Sequence, residues 1–456
     1  MLTEVSPLLV RKYNQAIPRY TSYPTVPNWN NTMTEETWKE SFHKKFDEVN
    51  HTNGISIYIH LPFCESLCTY CGCNKKITTN HSVEDPYIAA LEKEWKIYKK
   101  LMNQTPVIRE IHLGGGTPTF FSSKNLKKII NTILKDSIVH PQHEFSIEGH
   151  PNNTTEAHLK TLYYLGFRRI SFGVQDNDPE VQRVINRIQP FENVARATEN
   201  ARKVGYTSVN FDLIYGLPKQ NLASIERTIN QVLTLQPDRI AFYSYAHVPW
   251  TSKGQRLFDE NDLPSAEDKI LLYLKGKSML MSNGYFDIGM DHFSLPHDEL
   301  YTSWKSGKLH RNFMGYTTHK SGLLLGLGVS SISDATIAYA QNEKQLQKYY
   351  EKIAMGVLPL TKGCTLSEED LAFKQYILDI ACKAKTILQP EHLPLLKEYS
   401  FPKLKQFDTD GLIKWNEEGL ELTEQGHFFI RNICSAFDLY LARNTKEENQ
   451  IFSKAI

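Results

Sequence analysis

The period of the hydrophobic positions changes along this chain, and the changes divide it into regions. From Ile55 onward, short apolar and β-branched runs alternate with longer amphipathic stretches. The runs Ile55 to Leu61, Ile108 to Leu113, Glu144 to Glu148, Arg169 to Val174, Ser208 to Ile214 and Arg239 to Tyr245 read as strands. Between them, helical spacing recurs at Pro86 to Leu101, Lys124 to Leu134, Thr155 to Leu165, Phe191 to Val204 and Leu222 to Leu235. Strands with a helix between each consecutive pair predict an α/β fold, a parallel sheet with its crossovers outside. Periodicity does not separate a closed eight-unit barrel from an open sheet.

The flanks read differently. Residues 1–50 carry aromatic and polar groups without sustained period, apart from a short helix near Glu35 to Phe46, and are read as an arm. Residues 51–340 form the large domain with its extension. Residues 341–456 are read as a helical domain, with helices at Glu343 to Met355, Glu368 to Ala384 and His392 to Tyr399. Gly411 to Thr423 then reads as a β-hairpin with a polar turn. Helices followed by a hairpin suggest a winged-helix-like domain. Acidic residues in the wing and the lack of an arginine-rich face argue against DNA binding, leaving a lid or scaffold role.

Length and charge narrow the function. A chain of 456 residues exceeds one ordinary core. A formal net charge of +1 without a long basic run gives no footprint for nucleic acid or an anionic membrane. No uncharged apolar stretch reaches the roughly 18 residues of a membrane span, and the first residues lack a signal-peptide pattern. A soluble, cytoplasmic protein is expected.

Cysteine placement supplies the chemistry. Four of the seven cysteines, Cys64, Cys68, Cys71 and Cys73, fall in one short loop after the first strand. Thiolates at this spacing can surround one soft metal centre but pair poorly as disulfides. Structural zinc usually takes two separated pairs, whereas Cys364, Cys382 and Cys434 stand singly and read as core thiols. An iron-sulfur cluster, held by thiolates from one tight run, is the favoured reading. Gly114-Gly115-Gly116-Thr117-Pro118 after the second strand would let backbone approach a ligand closely, Glu148 ends the third strand, and Asp212 interrupts an apolar strand where a carboxylate needs a partner.

Cys64-x3-Cys68-x-Tyr70-Cys71 resembles the signature of the radical S-adenosylmethionine (SAM) superfamily. The surrounding Tyr58 to Cys64 and Cys71 to Lys75 resemble the oxygen-independent coproporphyrinogen III oxidases. So do Pro18 to Thr25, Gly114 to Thr119, Gly173 to Asp176, Asp212 to Pro218, Gly289 to Phe293, His310 to Phe313 and Gly315 to Thr318, all in the family's order. The resemblance implies a partial (β/α)6 barrel and conversion of two propionates of coproporphyrinogen III to vinyl groups by 5'-deoxyadenosyl radical chemistry.

It also implies roles. Cys64, Cys68 and Cys71 would hold three irons of a [4Fe-4S] cluster, the fourth being open to SAM. Tyr58, Gly115, Glu148 and Ile332 would contact that SAM. Tyr70, Gly116, Thr117, Gln175, Arg187, Asp212 and Ala246 would contact a second SAM molecule. Cys73 and Tyr58 would serve catalysis. Four substrate propionates call for cations, with Arg19, His292, His310, Arg311 and Lys320 as candidates. An electron donor for the cluster, an unidentified acceptor and a monomeric state complete the expectation. His150 departs from the family pattern after Glu148 and has no assigned role. A haem-binding chaperone and an anaerobic haem-degrading radical SAM methyltransferase are the alternatives on this scaffold; the chaperones typically carry Phe where Cys73 stands.

Overall fold

The computed structural model describes residues 5–29, 33–443 and 452–455, and a twelve-stranded sheet forms its centre. The six expected strands are β1 (Ile55–Leu61), β2 (Val107–Gly115), β3 (Ile138–Gly149), β4 (Phe167–Gln175), β5 (Ser208–Tyr215) and β6 (Arg239–Ser244). They lie side by side in chain order and pair in parallel throughout. Each strand adds on the same side of the last, so the strand order never reverses. Right-handed crossovers then keep the helices on one face and curl the sheet into a partial barrel, which periodicity alone left open.

β7 (Phe286–Gly289) and β8 (His292–Ser294) extend the sheet beyond β6 as antiparallel strands, with β8 next to β6. On the other edge, β9 (Leu324–Leu327) pairs in parallel with β1. β10 (Ile332–Asp334), β11 (Ala338–Asn342) and β12 (Leu360–Thr365) follow antiparallel. β11 contains residue 341 and β12 lies beyond it, so the sheet runs across the position where the sequence changes character.

Burial explains the apolar runs. Every residue of β1 except Tyr58 is buried, as is every residue of β5 except Asp212, because helices cover one face and the barrel interior the other. Each fully buried Ile, Leu or Phe contributes about 1.5–3 kcal/mol of transfer free energy. Local signals set the helix ends: Ser122 caps Ser123–Leu134, Thr155 and His158 form a reciprocal cap on Glu156–Tyr164, and left-handed Gly205 ends Phe191–Val204.

The first fifty residues do not act as one arm. Glu35–Val49 is a barrel element whose Trp38, Phe42 and Phe46 are fully buried in the main core, Trp38 donating to Tyr98 Oη at 3.1 Å. Val5 to Tyr23 belongs instead to a second core shared with the C-terminal region. Tyr13 packs on Phe407 and Phe429, Tyr20 Oη donates to Asp438 at 3.0 Å, and Tyr23 Oη accepts from Leu439 N at 3.0 Å. These tyrosines fill separate sockets, hence their lack of period. The C-terminal region is mainly helical, with a three-stranded sheet in which Gly419–Leu422 lies between Ile413–Asn416 and Lys385–Ile387. Among the described residues no helix is long and apolar enough to cross a membrane.

Candidate active site

The carboxyl ends of the parallel strands surround a cavity of about 1050 Å³. Its first wall is the cysteine loop. Phe63–Cys64 pairs with Lys76–Ile77 and closes the loop on itself, while Gly116 N donates to Leu61 O (2.8 Å) and Thr117 N to Phe63 O (3.0 Å). From outside, Gln255 Nε2 donates to Tyr70 O (2.9 Å) and Ser252 Oγ to Cys71 O (3.0 Å). Cys64, Cys68, Cys71 and Cys73 all line the cavity, whereas Cys364, Cys382 and Cys434 are buried elsewhere.

The donor set fits an anionic, thiolate-ligated group. Thr117 Oγ1 lies 3.2 Å from Cys64 Sγ and Arg187 Nη1 lies 3.6 Å from Cys68 Sγ. Lys75 Nζ bonds the Cys71 carbonyl at 2.9 Å. The Cys73 thiol lowers the pKa of Cys71 to about 6, with Lys75 assisting against burial, while Cys73 itself is pushed well up. Soft ligands from one loop, facing a roomy cavity with a nearby guanidinium, suit a [4Fe-4S] cluster.

The second wall is the glycine-rich end of β2. A Cβ on Gly116 would sit 2.7 Å from both C and O of Pro62, so this position keeps the loop close to β1 only as glycine. Gly115, at φ +114°, would drive a Cβ into the His60 ring. Its N–H instead reaches Glu148 Oε2 at 3.2 Å. Glu148 Oε1 lies 3.3 Å from His112 Nε2. Burial pushes the Glu148 pKa up, but the His112 and Gly115 contacts prevail and hold it below the ordinary value.

The far wall comes from β4 and β5. Gln175 adopts φ +67°, and a Cβ on Gly173 would meet its Nε2 at 2.7 Å and Arg187 Nη2 at 2.9 Å, so this glycine makes room for both side chains. Arg187 follows a short helix instead of riding on one; Nη2 donates to Gly173 O at 2.6 Å, and among the described residues its buried Nε has no partner. Asp212 accepts from Ser171 Oγ (2.9 Å) and Asn210 Nδ2 (2.8 Å), the partners a carboxylate in an apolar strand requires. Burial, then Glu148, raise its pKa to about 6.

Of the expected cofactor residues, Tyr70, Gly115, Gly116, Thr117, Glu148, Gln175, Arg187 and Asp212 line this cavity. Tyr58, Ala246 and Ile332 do not. Tyr58 stands one layer behind, its Oη 3.1 Å from His60 Nδ1 and its ring stacked on His112. The Ala246 carbonyl is tied to the loop through Gln255, which bonds both it and Tyr70 O. Ile332 packs beside Trp29 and Tyr339. His150 does line the cavity; its Nδ1 accepts from Asn152 N at 3.2 Å, so a neutral ring carries its proton on Nε2. Burial and then Arg187 lower its pKa to about 3, which makes it neutral.

The substrate candidates separate. Arg19, His292 and Arg311 line a second cavity of about 220 Å³, which shares Tyr243 with the first. His310 and Lys320 line a different one of about 180 Å³. Arg311 and His310 alternate on one short strand and so face opposite ways, which divides a motif that looks continuous in sequence. Tyr243, Asp291 and Arg431 join the second cavity without having been singled out. Asp291 stands inside the Gly289 to Phe293 block and was legible there; Arg431 carries no motif at all.

Comparison with known proteins agrees with this geometry. The radical SAM superfamily model matches residues 58–232. The oxygen-independent coproporphyrinogen III oxidase of Synechocystis is 38% identical, over 99% of this chain and 98% of its own. That of Helicobacter pylori strain 26695 is 39% identical over 98% of each. The solved structure of coproporphyrinogen III oxidase from Escherichia coli, a radical SAM enzyme, is 35% identical, covers 96% of this chain and 100% of that one, and superposes with a TM-score of 0.88.

Proposed function

Because this chain belongs to the oxygen-independent coproporphyrinogen III oxidases of the radical SAM superfamily, we propose that it converts two propionate side chains of coproporphyrinogen III to vinyl groups, giving protoporphyrinogen IX in haem biosynthesis. It is an oxidoreductase whose cofactors are a [4Fe-4S] cluster and SAM. When bound, they would supply 5'-deoxyadenosyl radical chemistry, able to remove one hydrogen atom from a propionate β-carbon. The carboxylate then leaves as carbon dioxide and one electron passes to an acceptor, so each vinyl group needs one electron donated and one accepted.

The observation that carries this reading is the convergence of Cys64, Cys68 and Cys71 on a cavity walled by the Gly115-Gly116 turn, Glu148 and Asp212. The three thiols, all on the wall of this cavity, would ligate the cluster. Glu148, held ionised by His112 and Gly115 N, suits the ammonium of a SAM molecule, with Gly115 giving it close backbone approach. Tyr58 orients His60 directly and Glu148 through His112, and Ile332 and Ala246 act by supporting the walls. Tyr70, Gly116, Thr117, Gln175, Arg187 and Asp212 frame the space for a second SAM. Cys73, beside Cys71 on the cavity wall, would serve catalysis there. Its presence favours turnover over the haem-chaperone alternative. A reactive carbon radical calls for a pocket from which bound substrate and cofactor exclude water. The enzyme acts as a cytoplasmic monomer.

The test is an anaerobic assay of cluster-loaded protein with SAM, a reductant, an electron acceptor and coproporphyrinogen III, following tetrapyrrole mass. Two successive decarboxylations are expected. Unchanged tetrapyrrole with tight stoichiometric haem binding would favour the chaperone, and methylated ring-opened products the methyltransferase.

A further inference from the structure

The second cavity is built from parts of the chain that lie far apart in sequence. Arg19 comes from the N-terminal segment, Tyr243 from β6, Asp291 and Arg311 from the barrel extension, and Arg431 from the C-terminal region. Three guanidinium groups thus face one carboxylate. Arg311 is buried, and among the described residues its Nε and Nη1 have no hydrogen-bond partner. Its Cζ lies 5.0 Å from the centre of the Tyr316 ring, a cation–π contact that helps hold the guanidinium. Buried, unsatisfied guanidinium donors are costly unless an anion completes them.

The other two arginines hold the frame. Arg19 Nη2 donates to Ser244 O at 2.8 Å, joining the N-terminal segment to the end of β6. Arg431 donates to the carbonyls of Ile17, Pro18 and Ala455. Ala16 and Lys454 also form an antiparallel bridge, so the N-terminal segment pairs with residues 452–455, of which Ala455 lines the cavity.

We propose that this cavity is a carboxylate-anchoring subsite that grips, through Arg311 with Arg19 and Arg431 around it, a propionate of the tetrapyrrole that is not being decarboxylated. The inference rests on the substrate assigned above. A volume near 220 Å³ lies below the roughly 300–1,000 Å³ of cavities that take a whole small-molecule ligand, but admits a carboxyethyl arm. It lies across Tyr243 from the cysteine-lined cavity, so an arm held here is kept from the reacting position while the ring reaches past Tyr243. On this account the N-terminal segment and the C-terminal region complete a substrate subsite.

The experiment is a fluorescence titration of anaerobic, cluster-loaded protein with coproporphyrin III and protoporphyrin IX, the oxidised porphyrins carrying four and two propionates. Loss of a charge-assisted carboxylate contact should weaken binding of both by about tenfold to a hundredfold in Arg311→Gln, with Arg311→Lys intermediate and the iron-sulfur absorption unchanged. Arg19→Gln, on the partly exposed side, should weaken both by a smaller factor. Wild-type affinities in Arg311→Gln and Arg19→Gln would overturn the proposal. Weakened coproporphyrin binding with unchanged protoporphyrin binding would overturn it too, by placing a reacting arm in the cavity. If the wild type binds both porphyrins through Arg311 yet releases no carbon dioxide, the assigned reaction fails and the subsite stands.

Discussion

The two cavities that meet at Tyr243 are built on opposite plans. The larger is lined by strand ends and the loops that follow them, and its chemical groups are mainly thiols, carboxylates and exposed backbone. The smaller gathers residues from 19 to 455 and relies on guanidinium groups. A site that positions a cofactor benefits from rigid parallel strands, each delivering its last residues to one place. A site that grips a flexible arm of a large substrate can be assembled late, from segments that close over it. Chemistry is thus concentrated in the barrel, and the flanking regions bear on recognition.

The contrast can be broken at its strongest point first. Replacing Cys64, Cys68 or Cys71 singly with Ser should remove the cluster's absorption and lower turnover by at least about 10³-fold, since one lost thiolate leaves an incomplete ligand set. Porphyrin binding through the smaller cavity should persist. Gly116→Ala comes next. Its Cβ would meet Pro62 backbone at 2.7 Å, and a displaced loop should cost about 10²-fold in turnover while the protein stays folded by circular dichroism.

Arg431→Gln probes the assembled side. It removes charge-assisted bonds to Ile17, Pro18 and Ala455, so we expect a loss of about 1.5–3 kcal/mol in denaturant unfolding and earlier proteolysis near residues 5–23, with the cluster intact. The smallest effect concerns Asp212. Its folded pKa, raised to about 6, lies above the ordinary 3.8, so the folded state keeps its proton longer than the unfolded chain. The stability this gives is complete below about pH 4 and lost as pH rises through 6. Asp212→Asn should therefore stabilise the protein by about 1 kcal/mol at pH 8, with no difference below pH 4, and yet reduce turnover. A stability gain accompanied by lost activity is what a carboxylate retained for binding predicts.

The same contrast explains what the sequence could reveal. Parallel strands buried on both faces are continuous apolar runs, so β1 and β5 were legible nearly to the residue. Cysteine spacing and the Gly114-Gly115-Gly116 turn are local constraints and were legible too. β7 to β12 are three to six residues long, too short to carry a period, and their place in the sheet is set by tertiary pairing. Tyr13, Tyr20 and Tyr23 fill unrelated sockets in a distant core, which makes their segment look like a loose arm. Arg431 is an arginine on a short C-terminal helix, and nothing in its neighbourhood announces that it meets Ile17 across the whole length of the chain. Motifs disclosed the larger cavity and, of the smaller one, Arg19, His292 and Arg311; folding brought these together and added Arg431.

The most direct test of the central claim uses coproporphyrinogen III deuterated at the propionate β-carbons, turned over anaerobically by cluster-loaded protein. The account predicts one deuterium in 5'-deoxyadenosine for each carbon dioxide released, and two such events per protoporphyrinogen IX. Unlabelled 5'-deoxyadenosine formed without carbon dioxide, by protein whose cluster is intact and whose electron acceptor is supplied, would contradict it.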